Sequence, residues 1–196
     1  MLVSDVVYDK KDNPIDLERL FRIQGYTCEA SFESTAKDRG RFSVLYLDPS
    51  DDNIFSIQFN LSKTDEDDGL PSQSIFYIEE MYSEGIGTKI VAKLLELADR
   101  CGIKRLEVSP LEVGGYFWGR VGFVPVEEQI GPLSKMLEEK TDGAVKFSNA
   151  DEFREIVKTK AGKEALLDTD WYGAFDLTDR AQMEFWKGYK ASKLER

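Results

Sequence analysis

The chain has 196 residues, of which 41% are hydrophobic and 32% are charged, and its formal net charge is −11. This length and composition predict a folded protein with one main hydrophobic core. The negative charge argues against binding to nucleic acid or to an anionic membrane, because such binding comes from Lys and Arg, and it favours cationic partners.

The His and Cys content limits the kinds of catalytic and metal site that the chain can contain. The sequence contains no His, which excludes Ser-His and Cys-His nucleophile pairs and most zinc sites. Its two cysteines, Cys28 and Cys101, are too far apart in sequence for a metal-binding knuckle.

The N-terminal stretch lacks a signal-peptide pattern, and no apolar run is long enough to cross a bilayer. We therefore expect a cytoplasmic protein without a metal.

The first third of the chain has the pattern of a small antiparallel sheet. The apolar run 2–8 predicts a strand, and Asn13 and Pro14 suit the cap and first position of a helix. The acidic stretch 63–72 lacks the spacing of a calcium loop and is interpreted as a solvated turn. Between them, three segments rich in aromatic and β-branched residues predict an antiparallel meander: 26–34, 41–47 and 53–62.

Residues 74–109 predict a strand, a helix and a second strand. The helix covers 85–102, with apolar residues at helical spacing and Gly102 as its stop. A strand-helix-strand unit of this length is typical of a crossover between two parallel strands. The sequence therefore predicts an α/β or α+β fold with a mixed, largely antiparallel sheet and one parallel pair.

The rest of the chain is predicted to be mostly helical. A short aromatic helix or turn precedes a strand from Phe123, and residues 131–196 then contain helix-like pieces for which Asn149 and Thr178 are candidate caps. We expect a domain at 1–130 and a helical C-terminal extension at 131–196 packed on it. The aromatic C-terminal stretch packs on the core in this interpretation; the alternatives are an acceptor-binding wall or a surface for a homo-oligomer.

Gly85 and Gly87 lie where the strand pattern changes to the helix pattern. Glycines at a helix N-terminus let an anionic phosphate approach the backbone N–H groups, although they also permit a simple tight turn. The spacing does not fit a Walker A loop. A dinucleotide fingerprint would require a third glycine at Ile90, but Glu107 suits its ribose-binding acid, so a nicotinamide-dependent oxidoreductase stays a minor alternative.

Three motifs together resemble the GNAT superfamily of acyl-CoA-dependent N-acyltransferases: "YSEGIG" at 82–87, "LEV" at 106–108 and "YFWGRVGF" at 116–123. The resemblance implies that backbone N–H groups of 83–88 hold the pyrophosphate of coenzyme A, with pantetheine between strands 75–81 and 103–109. The implied acetyl-CoA-binding residues are Met81, Tyr82, Ser83, Glu84, Gly85, Ile86, Gly87, Thr88, Lys89, Trp118 and Arg120. Lys89 and Arg120 have an alternative role as solvated helix charges.

The sequence departs from the family pattern at two positions. Tyr82 replaces the usual Arg or Gln, and Trp118 replaces the Tyr that in many members protonates the departing thiolate. Tyr116 is the candidate substitute, although it lies on a different helix face. For the base we expect Glu80 or its neighbour Glu79, with Glu80 preferred. Since adjacent strand residues alternate, we expect these two carboxylates on opposite sheet faces; their alternative role is as solvated residues at a strand end.

The resemblance implies an N-acyltransferase that moves an acetyl group from acetyl-CoA to a primary amine by direct attack in a ternary complex. The acceptor is a small cationic amine or a protein amine, and the backbone N–H near Met81 holds the thioester oxygen. The alternative is an inactive GNAT-like binding or structural protein of phage or mobile-element origin. Trp118 in place of the acid and the long C-terminal extension favour that alternative.

Overall fold

The computed structural model of the chain describes residues 6–36, 39–50, 54–63, 74–83, 85–110 and 114–194. Within these residues the fold is α+β, with seven helices and a seven-stranded, mostly antiparallel sheet that contains one parallel pair. The sequence prediction of a mixed, largely antiparallel sheet is confirmed at this level. The acidic stretch 63–72 lies almost entirely outside the described residues.

The helices are α1 (Leu17–Phe21), α2 (Gly87–Cys101), α3 (Gly114–Arg120), α4 (Glu127–Lys140), α5 (Ala150–Ile156), α6 (Lys160–Leu166) and α7 (Arg180–Leu194). The strands are β1 (Thr27–Ala36), β2 (Arg39–Leu47), β3 (Ile54–Lys63), β4 (Ser74–Tyr82), β5 (Arg105–Val108), β6 (Val124–Pro125) and β7 (Gly173–Asp176). Their order in the sheet is β1-β2-β3-β4-β5-β7-β6. The neighbours β4 and β5 are joined through α2, as the crossover prediction requires.

The chain divides into two compact units, Met1–Leu106 and Glu107–Arg196, with the boundary inside β5. The predicted division at residue 130 does not coincide with this boundary. The reason is that α3 and β6 make their contacts with later elements: α3 contacts α6, and β6 pairs with β7. The two-domain description of the sequence stays a prediction.

In the first unit, the antiparallel meander β1-β2-β3-β4 has one apolar face. Phe42, Phe59 and Ile78 lie opposite one another in the register, and all three are buried. The α1 helix covers this face: the Phe21 ring lies 6.3 Å from the Phe59 ring, and the Tyr46 hydroxyl donates to the Phe21 carbonyl at 2.9 Å. Burial of each such side chain stabilises the fold by roughly 1.5–3 kcal/mol.

The N-terminal helix begins later than the sequence predicts. Asp16, not Asn13, is the N-cap, and its side chain accepts from the Arg19 N–H at 2.9 Å. The Asn13 backbone N–H instead donates to the Asp9 carboxylate and closes a turn. This hydrogen bond is the main reason why the pKa of Asp9 is lowered. The prediction of Asn13 as the cap is therefore wrong, because the Asp9 turn holds Asn13. Most of the predicted strand 2–8 lies outside the described residues.

The second unit packs helices on the short strands β6 and β7. The Trp171 ring contacts the Phe153 ring at 5.3 Å, and the Phe123 ring contacts the Phe175 ring at 5.5 Å. The α3 helix lies close to the chain around Thr169, where a Cβ on Gly115 would come within 2.5 Å of the Thr169 carbonyl. Only glycine fits such an approach, so Gly115 fixes the position of α3 within this unit.

Two details of the predicted C-terminal extension are corrected. Residues 173–176 form the strand β7, which the sequence analysis placed in helical surroundings. Asn149 caps α5 as predicted, but α7 is capped by Asp179, whose carboxylate accepts from the Ala181 N–H, while Thr178 donates to Asp176. Among the described residues no helix has the length and apolar character needed to span a bilayer.

Candidate functional site

The junction between β4 and α2 contains most of the residues that the sequence predicts to bind a cofactor. Gly85 has a positive φ of 78°, a conformation that glycine adopts without steric cost, and a Cβ there would meet nothing within 4 Å. The helix starts at Gly87 with Ile86 as its N-cap, and Ile86 supplies no side-chain hydrogen bond. The first turn of α2 therefore presents backbone N–H groups without a side-chain cap.

At other helix N-termini, the side chain of the N-cap residue accepts a hydrogen bond from a backbone N–H of the first turn. Asp16 caps α1, Asn149 caps α5 and Thr159 caps α6. The α4 helix lacks a side-chain cap but has Glu127 and Glu128 in its first turn, whereas the first turn of α2 has no acidic residue. Among the described helices of eight residues or more, only α2 has neither a side-chain cap nor an acidic first turn. The positive end of its helix dipole is therefore not paired with a capping or acidic side chain of that first turn.

A β-bulge lies in β4, the strand that precedes this helix in the chain. Gln58 of β3 is paired with Glu80, but the next residue, Phe59, is paired with Ile78, so Glu79 is an extra residue in β4. A bulge leaves the extra residue unpaired in the ladder, and bulges are over-represented next to active sites. The predicted catalytic carboxylates therefore lie at an irregular point of the strand.

The bulge corrects the prediction that Glu79 and Glu80 occupy opposite faces. Glu80 is directly opposite Gln58, and the Glu79 carboxylate lies 3.4 Å from Arg41 Nη2, so both are on the polar face of the sheet. In a regular strand adjacent side chains point to opposite faces of the sheet. The extra residue of the bulge interrupts this alternation, so Glu79 and Glu80 point to the same face. Glu80 ends a row of polar residues that runs across the meander through Ser31, Ser43 and Gln58.

The residues flanking the bulge differ in exposure. Met81 is half-buried and lies opposite Ile57, whereas Tyr82 is 60% exposed and stacks on Phe55 with 6.3 Å between ring centroids. Glu84 lies outside the described residues. Of the remaining predicted residues, Gly85 and Lys89 are exposed, Ser83 and Thr88 are half-buried, and Ile86 and Gly87 are buried. The described residues 79–83 and 85–89 thus all lie at the β4–α2 junction of the first unit.

The other predicted residues are on α3 in the second unit. Trp118 is only 4% exposed, and its ring lies edge-on to those of Phe117 and Phe123. The Arg120 guanidinium lies over the Tyr189 ring at 5.3 Å and donates to the Val157 carbonyl at 3.4 Å. Tyr116 is half-buried, and the Lys163 ammonium lies 5.7 Å from its ring. Each of these side chains has packing partners inside its own unit.

A buried carboxylate in the second unit has a phenol as its partner. Glu107 is 7% exposed, and the Tyr172 hydroxyl donates to its Oε2. The sequence patterns indicate for Glu107 only the role of a ribose-binding acid, and they do not indicate Tyr172. The two residues are 65 positions apart, so no local pattern could have paired them; only the adjacency of β5 and β7 in the sheet brings them together.

The two cysteines do not have the properties of nucleophiles. Burial raises the pKa of both the Cys28 and the Cys101 thiol to about 11. Both thiols are therefore almost entirely protonated at neutral pH, and the thiolate is the reactive form. Among the residues that the structure describes, no group of three or more His, Cys, Asp and Glu side chains is placed to hold a metal ion.

Comparison with protein-family models finds none that matches the chain, and comparison with curated proteins finds no match either. The resemblance to GNAT proteins therefore depends on the motifs and on the geometry described above.

Proposed function

We propose that the chain is a GNAT-like N-acyltransferase that transfers an acetyl group from acetyl-CoA to a primary amine in a ternary complex. The observation that carries this proposal is the N-terminus of α2, which has no side-chain cap, no acidic residue in its first turn, and Gly85 at a positive φ before it. Such a terminus suits the pyrophosphate of coenzyme A, because N–H groups and the helix dipole both favour an anion.

The β4 bulge supports placing the catalytic base and the oxyanion donor in this region. In the proposed reaction Glu80 or Glu79 accepts the proton of the attacking amine, directly or through water. The backbone N–H near Met81 stabilises the thioester oxygen as it becomes an oxyanion; in comparable sites one such donor contributes about 3–4 kcal/mol. The interrupted ladder at Glu79 is the kind of backbone irregularity that supplies such groups.

A cationic acceptor fits the charge of this region. The chain carries a net charge of −11, and the polar face of the meander has exposed carboxylates at Glu79 and Glu80 beside the neutral row Ser31, Ser43 and Gln58. An ammonium group is attracted to such a surface before it loses its proton. We therefore propose a small cationic amine or a protein amine as the acceptor.

Calorimetric titration with acetyl-CoA, followed by an acyl-transfer assay, tests the proposal. A ligand at 100 times its Kd stabilises the folded state by about 2.7 kcal/mol, so binding also raises the unfolding temperature. Transfer is then followed by release of free thiol in the presence of polyamines, aminoglycosides and lysine peptides. Binding together with thiol release supports the enzyme; absence of both heat and thermal stabilisation at about 1 mM acetyl-CoA overturns it.

The environment of Trp118 favours a second candidate, a protein that binds acyl-CoA without turnover. Trp118 occupies the position of the family's acid, and it is buried against Phe117 and Phe123. An indole has no acidic proton to give to a thiolate near neutral pH. In the same experiment, binding of acetyl-CoA without thiol release across the whole amine panel would favour this candidate.

A further inference from the structure

The strand β1 lies at an edge of the sheet in the first unit. Its one strand neighbour among the described residues is β2, which pairs with it from Thr27↔Leu47 to Ala36↔Arg39. Along 27–33 the other side of β1 has no described strand beside it. A row of backbone N–H and C=O groups of this kind is a template for pairing with another chain.

The sequence of β1 has few of the features that usually protect an edge strand. Such strands are commonly short, contain Pro or Lys, or point a charged side chain toward the core. The β1 strand has ten residues, TCEASFESTA, with neither Pro nor Lys, and its side chains at 28, 30 and 32 are uncharged. Its register shift lies near its end, after Ser34. The backbone along 27–33 is therefore regular enough to accept another strand.

The apolar face of the meander is incompletely covered at β1. Phe42 and Val44 of β2 are 1% and 2% exposed, whereas Phe32 and Ala30, which lie opposite them in β1, are half-buried. The Phe32 ring lies 4.5 Å from the Phe42 ring, so the aromatic core extends to this edge. Apolar side chains of an added strand would remove more of this surface from water.

The opposite face of β1 carries two carboxylates that select the partner. Glu29 and Glu33 are both exposed, and four residues of extended strand separate them by about 13 Å. Glu29 lies opposite Leu45, which has no charge. Glu33 lies opposite Arg41, whose Nη2 is 3.4 Å from the Glu79 carboxylate. The net charge of −11 adds a general attraction for cations.

The same carboxylates disfavour a second copy of this chain as the partner. Antiparallel pairing of two β1 strands about Ser31, for example, sets Glu29 of each copy opposite Glu33 of the other. Like charges directly opposite one another destabilise a pair of strands, whereas opposite charges stabilise it. The edge therefore fits a basic strand better than it fits itself.

We propose that β1 docks an extended basic segment of another protein by strand addition. The segment pairs its backbone with the edge at 27–33 and sets Lys or Arg opposite Glu29 and Glu33. Its alternate side chains are apolar and lie beside Ala30 and Phe32. This docking requires no acetyl-CoA, so it stands or fails independently of the proposed acyl transfer.

A labelled peptide with blocked ends, Thr-Val-Lys-Val-Thr-Val-Lys-Val-Thr, is the probe, because its lysines can face Glu29 and Glu33 while its valines face the apolar side. We expect saturable binding by fluorescence anisotropy, with protection of the amides of 27–33 from hydrogen exchange. Two matched peptides should bind about tenfold more weakly or worse. One has Glu in place of each Lys, and the other has Pro at its centre, which removes a backbone donor.

Charge reversal on the protein should reverse the preference between peptides. We expect E29K/E33K to bind the Lys peptide about tenfold more weakly than the parent and to bind the Glu peptide more tightly than the parent does. E139K/E164K changes two exposed carboxylates on α4 and α6, with the same change in net charge, and should keep the parent preference. E29Q/E33Q, expected to have an intermediate affinity for the Lys peptide, keeps the test decisive if the lysine variant does not fold.

The proposal is overturned if the Lys peptide does not bind, if the Pro peptide binds equally well, or if the protected amides lie outside 27–33. It is also overturned if the folded charge variants keep the parent preference, or if E139K/E164K loses affinity equally. Concentration-dependent dimerisation of the parent, with protection of 27–33 in the dimer, would identify a second copy as the occupant and would overturn it as well.

Discussion

The N-termini of α2 and α5 show how the same backbone feature can serve structure or ligand. At α5 the Asn149 side chain accepts from the Glu152 N–H at 2.9 Å, and the Glu152 carboxylate accepts in return from the Ser148 N–H at 2.7 Å. At α2 the N-cap is Ile86, which offers no acceptor, and the first turn has no carboxylate. The chain's own side chains thus accept hydrogen bonds at the α5 N-terminus. We infer that the free N–H groups of the α2 N-terminus bind an anion.

A carboxylate added to the first turn of α2 should separate stability from binding. In Thr88→Glu the new charge lies at the positive end of the helix dipole, so the free energy of unfolding should stay equal or rise by about 0.3–1 kcal/mol. The same charge repels a bound pyrophosphate, and we expect the Kd for acetyl-CoA to rise about tenfold, equivalent to about 1.4 kcal/mol. Calorimetric titration measures the affinity and urea denaturation measures the stability.

Gln129→Glu provides the matched control, since it adds a carboxylate to the first turn of α4. Its affinity for acetyl-CoA should lie within about twofold of the parent value, because a pyrophosphate is not proposed to bind there. Equal losses of affinity in T88E and Q129E would indicate a general charge effect, and the proposed difference between the two helix termini would be wrong.

Loss of the side-chain cap at α5 should lower stability and leave acetyl-CoA affinity unchanged, which is the reverse of the result expected for Thr88→Glu. Asn149→Ala removes the acceptor for the Glu152 N–H, and loss of such a cap costs about 1 kcal/mol of stability. The expected result is a lower urea midpoint with an unchanged denaturant slope and unchanged acetyl-CoA affinity. A loss of affinity as large as that in T88E would show that α5 also contributes to binding.

The smallest expected effect is the pH dependence of the α5 cap. Hydrogen bonds from Ser148, first from its side chain and then from its backbone, lower the pKa of Glu152 below its ordinary value of 4.5. A lowered pKa in the folded state gives stability that is present above pH 4.5 and is lost as the pH falls through the folded-state value. The stability difference between the parent and Glu152→Gln should therefore shrink below about pH 4.5. A difference that stays constant from neutral pH to about pH 3 would contradict the assigned role.

Local sequence patterns predicted the elements that depend on local physics. The meander followed from aromatic and β-branched alternation, and α2 followed from its helical spacing and from Gly102, whose φ of 74° confirms it as the helix stop. The strand β7 was missed because it has only four residues, GAFD, too few for a periodic signal. The start of α1 was misplaced because Asn13 is held by the turn on Asp9, and Asp16 caps the helix instead.

The candidate site was predictable where it is continuous in sequence. The glycines at the start of α2 predicted a helix N-terminus that binds a phosphate. The structure describes that terminus without a side-chain cap, and phosphate binding stays a prediction. The faces of Glu79 and Glu80 were not predictable, because the bulge depends on how β4 pairs with β3. The contact between Glu107 and Tyr172 depends on the order of β5 and β7 in the sheet, which is a property of the whole fold.

The most direct test of the α2 assignment is an NMR titration of ¹⁵N-labelled protein with acetyl-CoA, because it observes the backbone N–H groups themselves. We expect the largest amide shifts at Gly85, Gly87 and Thr88, with little change at Asn149 and Ala150 of the α5 terminus. Desacetylated coenzyme A should give the same pattern, whereas pantetheine, which lacks the pyrophosphate, should not. Saturable shifts that leave 85–88 unaffected, or no shifts at millimolar acetyl-CoA, would contradict the account.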